Sequence, residues 1–217
     1  MAYMGVSFKN NKEQAELVRL IYEKDRPIIF CIGKAGTGKT FATLAAALQL
    51  KAEKEYGHII YARNPVQVGE DMGFLPGTID EKYSPFMGPL IDNLEAIIRI
   101  SKQGNINDYQ HRIETIPIAF LRGRSFEDTI VIVDEAQNLD IVALKTILTR
   151  FGKFCKVVLL GSMNQIDDYK QNQKEVCDFQ KVINKLKDKP YVGFVELEQS
   201  MRNPICTEID DLLNEIK

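Results

Sequence analysis

Eight consecutive residues could do chemistry on a phosphate: Gly33-Lys34-Ala35-Gly36-Thr37-Gly38-Lys39-Thr40. They fit G-x-x-x-x-G-K-[ST], the loop that wraps the phosphates of a nucleoside triphosphate. Gly33, Gly36 and Gly38 carry no Cβ, so the backbone can approach an anion closely. The amide groups of the loop and of the helix start, Gly33 through Phe41, would point at that anion, and the helix dipole favours it. Lys39 supplies a positive charge to the β- and γ-phosphates, and the Thr40 hydroxyl suits Mg²⁺. The chemistry implied is the binding of ATP with Mg²⁺.

Asp134 and Glu135 end the apolar run Ile130-Val131-Ile132-Val133. Beside a phosphate loop, the first carboxylate can hold Mg²⁺ through its water shell, and the second can orient or deprotonate an attacking water. In isolation the pair would read as surface acids. Gln165, in Gly161-Ser162-Met163-Asn164-Gln165, offers an amide that can donate to a γ-phosphate and accept from water. Arg202, in Leu197-Glu198-Gln199-Ser200-Met201-Arg202-Asn203-Pro204, offers a fork suited to an equatorial phosphate oxygen. Either residue alone reads equally as surface polarity. Arg122-Gly123-Arg124 suits a nucleic-acid backbone, and equally a salt-bridged turn.

Such residues need strands that end together. Ile28-Ile29-Phe30-Cys31-Ile32 predicts a buried strand before the loop, and the Ala- and Leu-rich run from Phe41 to Leu50 predicts a helix after it, with Gly57 as its stop. Further strands are expected at 58–62, 130–133, 157–160 and 192–197. Helices are expected at 11–24 with Asn11 as cap, around Leu90–Ile98, at 141–149, 170–188 and 208–217. The lysines of 170–188 alternate with acids and read as a solvated face. Residues 63–126 read as a loop-rich insertion, with an irregular extended stretch near Ile113–Phe120. This alternation predicts an α/β fold, a mostly parallel sheet with helices on both faces and ligands at the carboxyl ends of the strands.

The chain has 217 residues, 45% hydrophobic and 27% charged, with formal net charge −2. That is one ordinary globular domain with no global basic footprint. No run is long enough to span a bilayer, and Met1–Lys9 lacks a signal-peptide core. Cys31, Cys155, Cys177 and Cys206 form no C-x-x-C pair and read as buried thiols of a reducing, cytoplasmic compartment. His58 and His111 are too isolated for a zinc site.

Together these segments resemble the PhoH-like (phosphate-starvation-inducible) ATPases over about residues 10–210. The likeness rests on the phosphate loop, Gly69-Glu70, Gly73-Phe74-Leu75-Pro76-Gly77, Leu121-Arg122-Gly123-Arg124-Ser125-Phe126, Asp134-Glu135-Ala136-Gln137-Asn138, Leu148-Thr149-Arg150-Phe151-Gly152 and Gln165-Ile166-Asp167. That family is similar to the core of superfamily-one helicases. The resemblance implies a RecA-like fold, ATP hydrolysis and links to RNA. It makes Gln14, in Asn11-x-x-Gln14, a candidate adenine contact, and places Arg202 at the γ-phosphate. Two departures stand out: Ser162 replaces the family's usual Asp, and Asn64 separates Arg63 from Pro65.

The expectation is an ATPase coupled to single-stranded nucleic acid, RNA foremost. The alternatives are a nucleotide-dependent scaffold with little turnover, for which Ser162 argues, and a P-loop kinase. Glu135 and Gln165 argue against the kinase, because they suit activation of water. The sequence reads as a bare core, 1–217, with one phosphate loop and about one helix after Arg202. A neighbouring copy is then expected to complete the ATP site in a head-to-tail homo-oligomer, a hexameric ring by preference. Arg150 is the candidate for an arginine donated in trans, by analogy with ring ATPases, and equally suits a cap on its own helix.

Overall fold

A computed structural model describes residues 2–63, 87–102, 104–121, 124–162 and 177–214. A short antiparallel hairpin, β1 (Ala2–Tyr3) and β2 (Val6–Ser7), precedes α1 (Lys12–Tyr22). Then come β3 (Ile28–Gly33), α2 (Lys39–Ala52), β4 (His58–Arg63), α3 (Gly88–Ser101), the short α4 (Ile106–Gln110) and β5 (Glu114–Pro117). The chain continues through β6 (Thr129–Asp134), α5 (Ile141–Leu148), β7 (Cys155–Gly161), α6 (Asp178–Leu186), β8 (Val192–Leu197) and α7 (Pro204–Asn214).

Six strands form one sheet in the order β5-β4-β6-β7-β3-β8, every pairing parallel. One strand, β7, therefore separates the phosphate-loop strand β3 from the acid-bearing strand β6. This is the α/β architecture expected from the sequence, a parallel sheet with helices on both faces. The strand period of two splits the apolar residues between the two faces. Ile29, Cys31, Tyr61, Ile130, Ile132, Val158 and Leu160 join one core with α1, α2 and α3. Ile28, Phe30, Ile60, Val131, Val133, Val157 and Leu159 join the other with α5 and α6.

Local signals set the ends. Asn11 accepts from Gln14 N at 2.9 Å and caps α1, and Asp140 accepts from Ala143 N at 2.7 Å and caps α5. Gly57 is not the stop of α2: the helix ends at Ala52, Lys54 turns left-handed at φ 60°, and Gly57 opens the path into β4 by donating to Asp128 O. The expected insertion also differs. Its described part holds α3, a capping box at Asn105 that starts α4, and an edge strand followed by a 3₁₀ turn at Ile118–Leu121. A run as short as Glu114–Pro117 shows no clear period, so only its pairing with β4 reveals it. The last helix begins at Pro204 rather than at 208, because Pro favours the first helical turn. Of the helix expected at 170–188, the described part is Asp178–Leu186, with Phe179, Val182 and Ile183 buried and its lysines outward.

All four cysteines are free, but only Cys31 and Cys155 are buried; Cys177 is half-buried and Cys206 is exposed on α7. Among the described residues no helix is long and apolar enough to cross a membrane.

Candidate nucleotide site

The phosphate loop leaves β3 and turns into α2 through two left-handed glycines, Gly36 at φ 76° and Gly38 at φ 81°. An L side chain is strained at such angles, which is why the pattern needs glycine there. Thr37 is fully buried and its hydroxyl donates to Lys34 O at 3.0 Å, closing the loop on itself. Lys39 Nζ donates to the carbonyls of Gly33 at 2.7 Å and Lys34 at 2.9 Å. Burial pushes the pKa of this ammonium below the ordinary lysine value.

Asp134 ends β6 on the face shared with α2. It is 5% exposed, and burial raises its pKa above the usual carboxylate value; the Tyr61 hydrogen bond works the other way. Tyr61 Oη donates to Asp134 Oδ2 at 2.5 Å. The Thr40 hydroxyl lies 3.5 Å from both carboxylate oxygens. Arg63, two residues beyond Tyr61 on the same face of β4, is level with Asp134 in the strand register. Its guanidinium lies 3.9 Å from Asp134 Oδ2 and 3.5 Å from Glu135 Oε1. Burial opposes its charge, but the facing carboxylates and Tyr61 outweigh this and raise its pKa.

Glu135 stands in the left-handed region at φ 56°, and its N–H donates to Asp134 Oδ1 at 3.1 Å. A non-glycine residue rarely adopts that backbone, and such strain gathers at functional sites. A 3₁₀ turn, Ala136–Asn138, follows. Within it Gln137, buried, donates to Glu135 Oε2 at 2.6 Å and accepts from Ser162 N at 3.1 Å. The amide thus ties the end of β6 to the end of β7. The Ser162 hydroxyl is buried and finds no partner among the described residues.

Beyond β8, Met201 N donates to Gly36 O at 2.8 Å, and the exposed Arg202 lies across the loop. A Cβ added at Gly36 would meet the Arg202 side chain at 2.5 Å. A cavity of about 410 Å³ is lined by Gly38, Lys39, Thr40, Asp134, Glu135 and Arg202, with Ala35, Arg63 and Ser162 among its other walls. Residues from widely separated segments thus meet at the carboxyl ends of the parallel strands.

Gln14, Arg124 and Arg150 are not among the residues that line this cavity. Gln14 is buried behind the loop, where Nε2 donates to Thr37 O at 2.9 Å, and it supports the loop backbone. Arg124 does not line the cavity. It makes a forked pair with Glu114, at 2.6 and 3.1 Å, at the first residue of β5, which is level with Ile60 in the middle of β4. The chain has turned back toward the start of β6 by then, and the salt-bridged turn describes this arginine. Arg150 is exposed after α5, and its carbonyl accepts from Phe126 N close to the start of β6, near the edge of the sheet opposite the cavity. The end of α5 is closed by Thr149 N, to Lys145 O and Ile147 O, and by Arg150 N, to Ile147 O at 3.4 Å. Gln165 and Arg122 lie outside the described residues.

A profile of the PhoH-like protein family matches residues 7–214. The chain belongs to that family. It is 38% identical over 208 residues to Protein PhoH2 of Bacillus subtilis (strain 168), covering 94% of this chain and 47% of that one. It is 36% identical over 200 residues to a PhoH-like protein of Synechocystis, covering 90% and 58%, and 33% identical over 199 residues to Protein PhoH of Escherichia coli (strain K12), covering 90% and 55%. This PhoH-like chain thus spans about half the length of these relatives. The crystal structure of the Pif1 helicase from Candida albicans aligns with 94% of this chain and 43% of its own at 15% identity and a TM-score of 0.44.

The sequence alone gives no role to Tyr61 or Gln137, and marks Arg63 only by its distance from Pro65. A phenol or amide inside an apolar strand or turn is the available signal, since a buried polar group needs a partner.

Proposed function

We propose that this PhoH-like protein binds ATP and hydrolyses it with Mg²⁺, and that turnover is coupled to single-stranded nucleic acid, RNA foremost. The observation that carries the ATPase reading is the convergence of Lys39, Thr40, Asp134 and Glu135 on one cavity. The donor set fits Mg²⁺. A hydroxyl and a carboxylate lie 3.5 Å apart, and both offer hard oxygens. Thr40 and Asp134 would hold the ion, with phosphates and water completing its shell. When bound, Mg²⁺ neutralises charge on the phosphate oxygens.

The chain's own groups do the rest. The amides of 33–41 cradle the phosphates and Lys39 adds its charge. Glu135 orients a water and takes its proton as the water oxygen bonds to the γ-phosphorus and the bond to the β–γ bridging oxygen breaks. Arg63 and Gln137 each grip one carboxylate oxygen of Glu135, which fixes the direction in which it acts. Arg202, across Gly36, supplies positive charge to the transferring group. Gln165 would sense that group, and Gln14 would meet adenine as in the related helicase cores.

The nucleic-acid half of the reading rests on the family's likeness to helicase cores and on Arg122; Arg124, paired with Glu114, contributes nothing to it. Arg150, exposed at the far edge, would serve a neighbour's cavity in a head-to-tail oligomer, hexameric when the ring closes. Mixed Arg150→Ala and Glu135→Gln subunits would then regain activity through sites that combine both intact residues.

An ATPase assay with and without single-stranded RNA tests the proposal. RNA-stimulated phosphate release is the expected result. Tight ATP binding without release would favour a nucleotide-dependent scaffold, and transfer to an acceptor hydroxyl would favour a kinase.

A further inference from the structure

Arg202 sits on an exposed segment after β8, yet it lies against a defined point of the phosphate loop. Among the described residues, three contacts tie that segment to α1 and to the loop. Glu13 Oε2 accepts from Glu198 N at 2.8 Å and from Gln199 N at 3.0 Å. Asn11 Nδ2 donates to Met201 Sδ at 3.4 Å. Met201 N donates to Gly36 O at 2.8 Å. Two of the anchors come from the start of α1, and the third is the loop itself.

Glu13 is the strongest of these ties. One carboxylate oxygen takes two successive backbone N–H groups, a charge-assisted arrangement that fixes the direction in which the segment leaves β8. Glu13 lies one residue before Gln14, whose amide is bonded to Thr37 O. The first turn of α1 therefore holds the phosphate loop from behind and the arginine segment from the side. If the Glu13 bonds are lost, the segment loses the anchor nearest the strand, and the Gly36 and Asn11 contacts at Met201 loosen with it.

We infer that Glu13 is a positioning residue for Arg202, setting its guanidinium over the phosphate loop through the backbone of Glu198 and Gln199. This inference rests on the proposed reading of the cavity as an ATP site with Arg202 at the γ-phosphate. Glu13 touches no part of the cavity and acts only through the segment it anchors. A group that meets only the third phosphate favours ATP over ADP, and so must a residue that places it.

The test compares Glu13→Ala, Glu13→Gln, Arg202→Ala and Glu13→Ala/Arg202→Ala. ATP and ADP affinities are measured by titration calorimetry, kcat by phosphate release, and amide exchange at Glu198, Gln199 and Met201 by mass spectrometry. Glu13→Ala is expected to reduce kcat by about 10-fold or more and to lower the ATP-over-ADP preference in the direction of Arg202→Ala, with ADP affinity kept. The double variant is expected to match Arg202→Ala alone, since residues acting as one unit are not additive. Glu13→Gln keeps an oxygen that accepts both N–H groups and is expected to retain most of the activity and preference. Exchange at the three amides rises in Glu13→Ala and stays low in Glu13→Gln, with or without nucleotide. Unchanged exchange in Glu13→Ala, or additive losses in the double variant, overturns the role of Glu13. A wild-type protein that binds neither ATP nor ADP, with the exchange pattern as expected, overturns the site reading beneath it.

Discussion

Tyr61 donates its phenolic hydrogen to Asp134 Oδ2 across 2.5 Å, one strand over in the same sheet, where both side chains are buried. A carboxylate at the end of a strand can swing among rotamers, and this bond selects one. The Tyr61 phenol is itself held far above its ordinary pKa, first by burial and then by the Asp134 charge, so it stays a donor. Tyr61→Phe is expected to leave ADP binding intact while raising the Mg²⁺ concentration for half-maximal ATP binding by about 10-fold, the usual scale for losing a partner of a metal-holding group. A Mg²⁺ titration monitored by nucleotide fluorescence checks this. An unchanged midpoint would remove Tyr61 from the site.

Gly36 and Gly88 make a paired test of the loop. Gly36→Ala puts a Cβ at φ 76° and within 2.5 Å of the Arg202 side chain. Gly88, at the start of α3, has nothing within 4 Å of an added Cβ and no positive φ. Gly36→Ala is expected to cost about 1–2 kcal/mol of stability and most of the ATP affinity. Gly88→Ala is expected to be neutral or stabilising by up to about 1 kcal/mol. Chemical denaturation and calorimetry on both variants decide it.

The fold was legible because its strands are short continuous apolar runs bounded by loop signals, and Gly33–Thr40 and Asp134-Glu135 are local motifs. The supporting contacts were not. Tyr61 reaches Asp134 across a strand pair, Gln137 bridges to Ser162, and Glu13 reaches Glu198, all at sequence separations that no period reports. Arg124 shows the converse. Its residue type and neighbours suited a nucleic-acid backbone and a salt-bridged turn equally, and the Glu114 partner comes from a separate strand that only the fold brings alongside. The hairpin at 2–7 and the edge strand at 114–117 are too short to show a period.

The Arg124 placement gives its own prediction. The Glu114 pair is well exposed, so Arg124→Ala is expected to cost only about 0–1 kcal/mol of stability. It is also expected to leave RNA affinity and its salt dependence unchanged, since Glu114 already neutralises the guanidinium. A drop in the salt slope by about one unit in filter binding would return Arg124 to a nucleic-acid surface.

Lys156 is a buried cation at the foot of β7. It is 1% exposed, and Nζ donates to Glu23 O at 2.5 Å, Arg26 O at 3.1 Å and Leu20 O at 3.4 Å, closing the end of α1. Burial pushes its pKa down to about 8 from 10.5. Above pH 8 the unfolded chain holds a proton that the folded chain releases, so this group adds stability as pH rises from about 8 toward 10.5 and contributes no pH dependence below that window. The gain is on the order of 2 kcal/mol. Urea unfolding of wild type and Lys156→Met at pH 7.0 and 9.5, as about the two ends of the accessible window, isolates it. The difference between the two proteins is expected to shift by that amount in favour of wild type.

The central claim is that Glu135 acts on water while Lys39 binds phosphate, and one measurement separates them most directly. Single-turnover ATP hydrolysis and equilibrium ATP binding are compared for wild type, Glu135→Gln and Lys39→Ala. Glu135→Gln keeps a group that accepts from Gln137, so it is expected to bind ATP at near wild-type affinity and to lose about 10²-fold or more in the hydrolytic rate. Lys39→Ala is expected to lose the affinity itself. A Glu135→Gln protein that hydrolyses bound ATP at the wild-type rate would contradict the account.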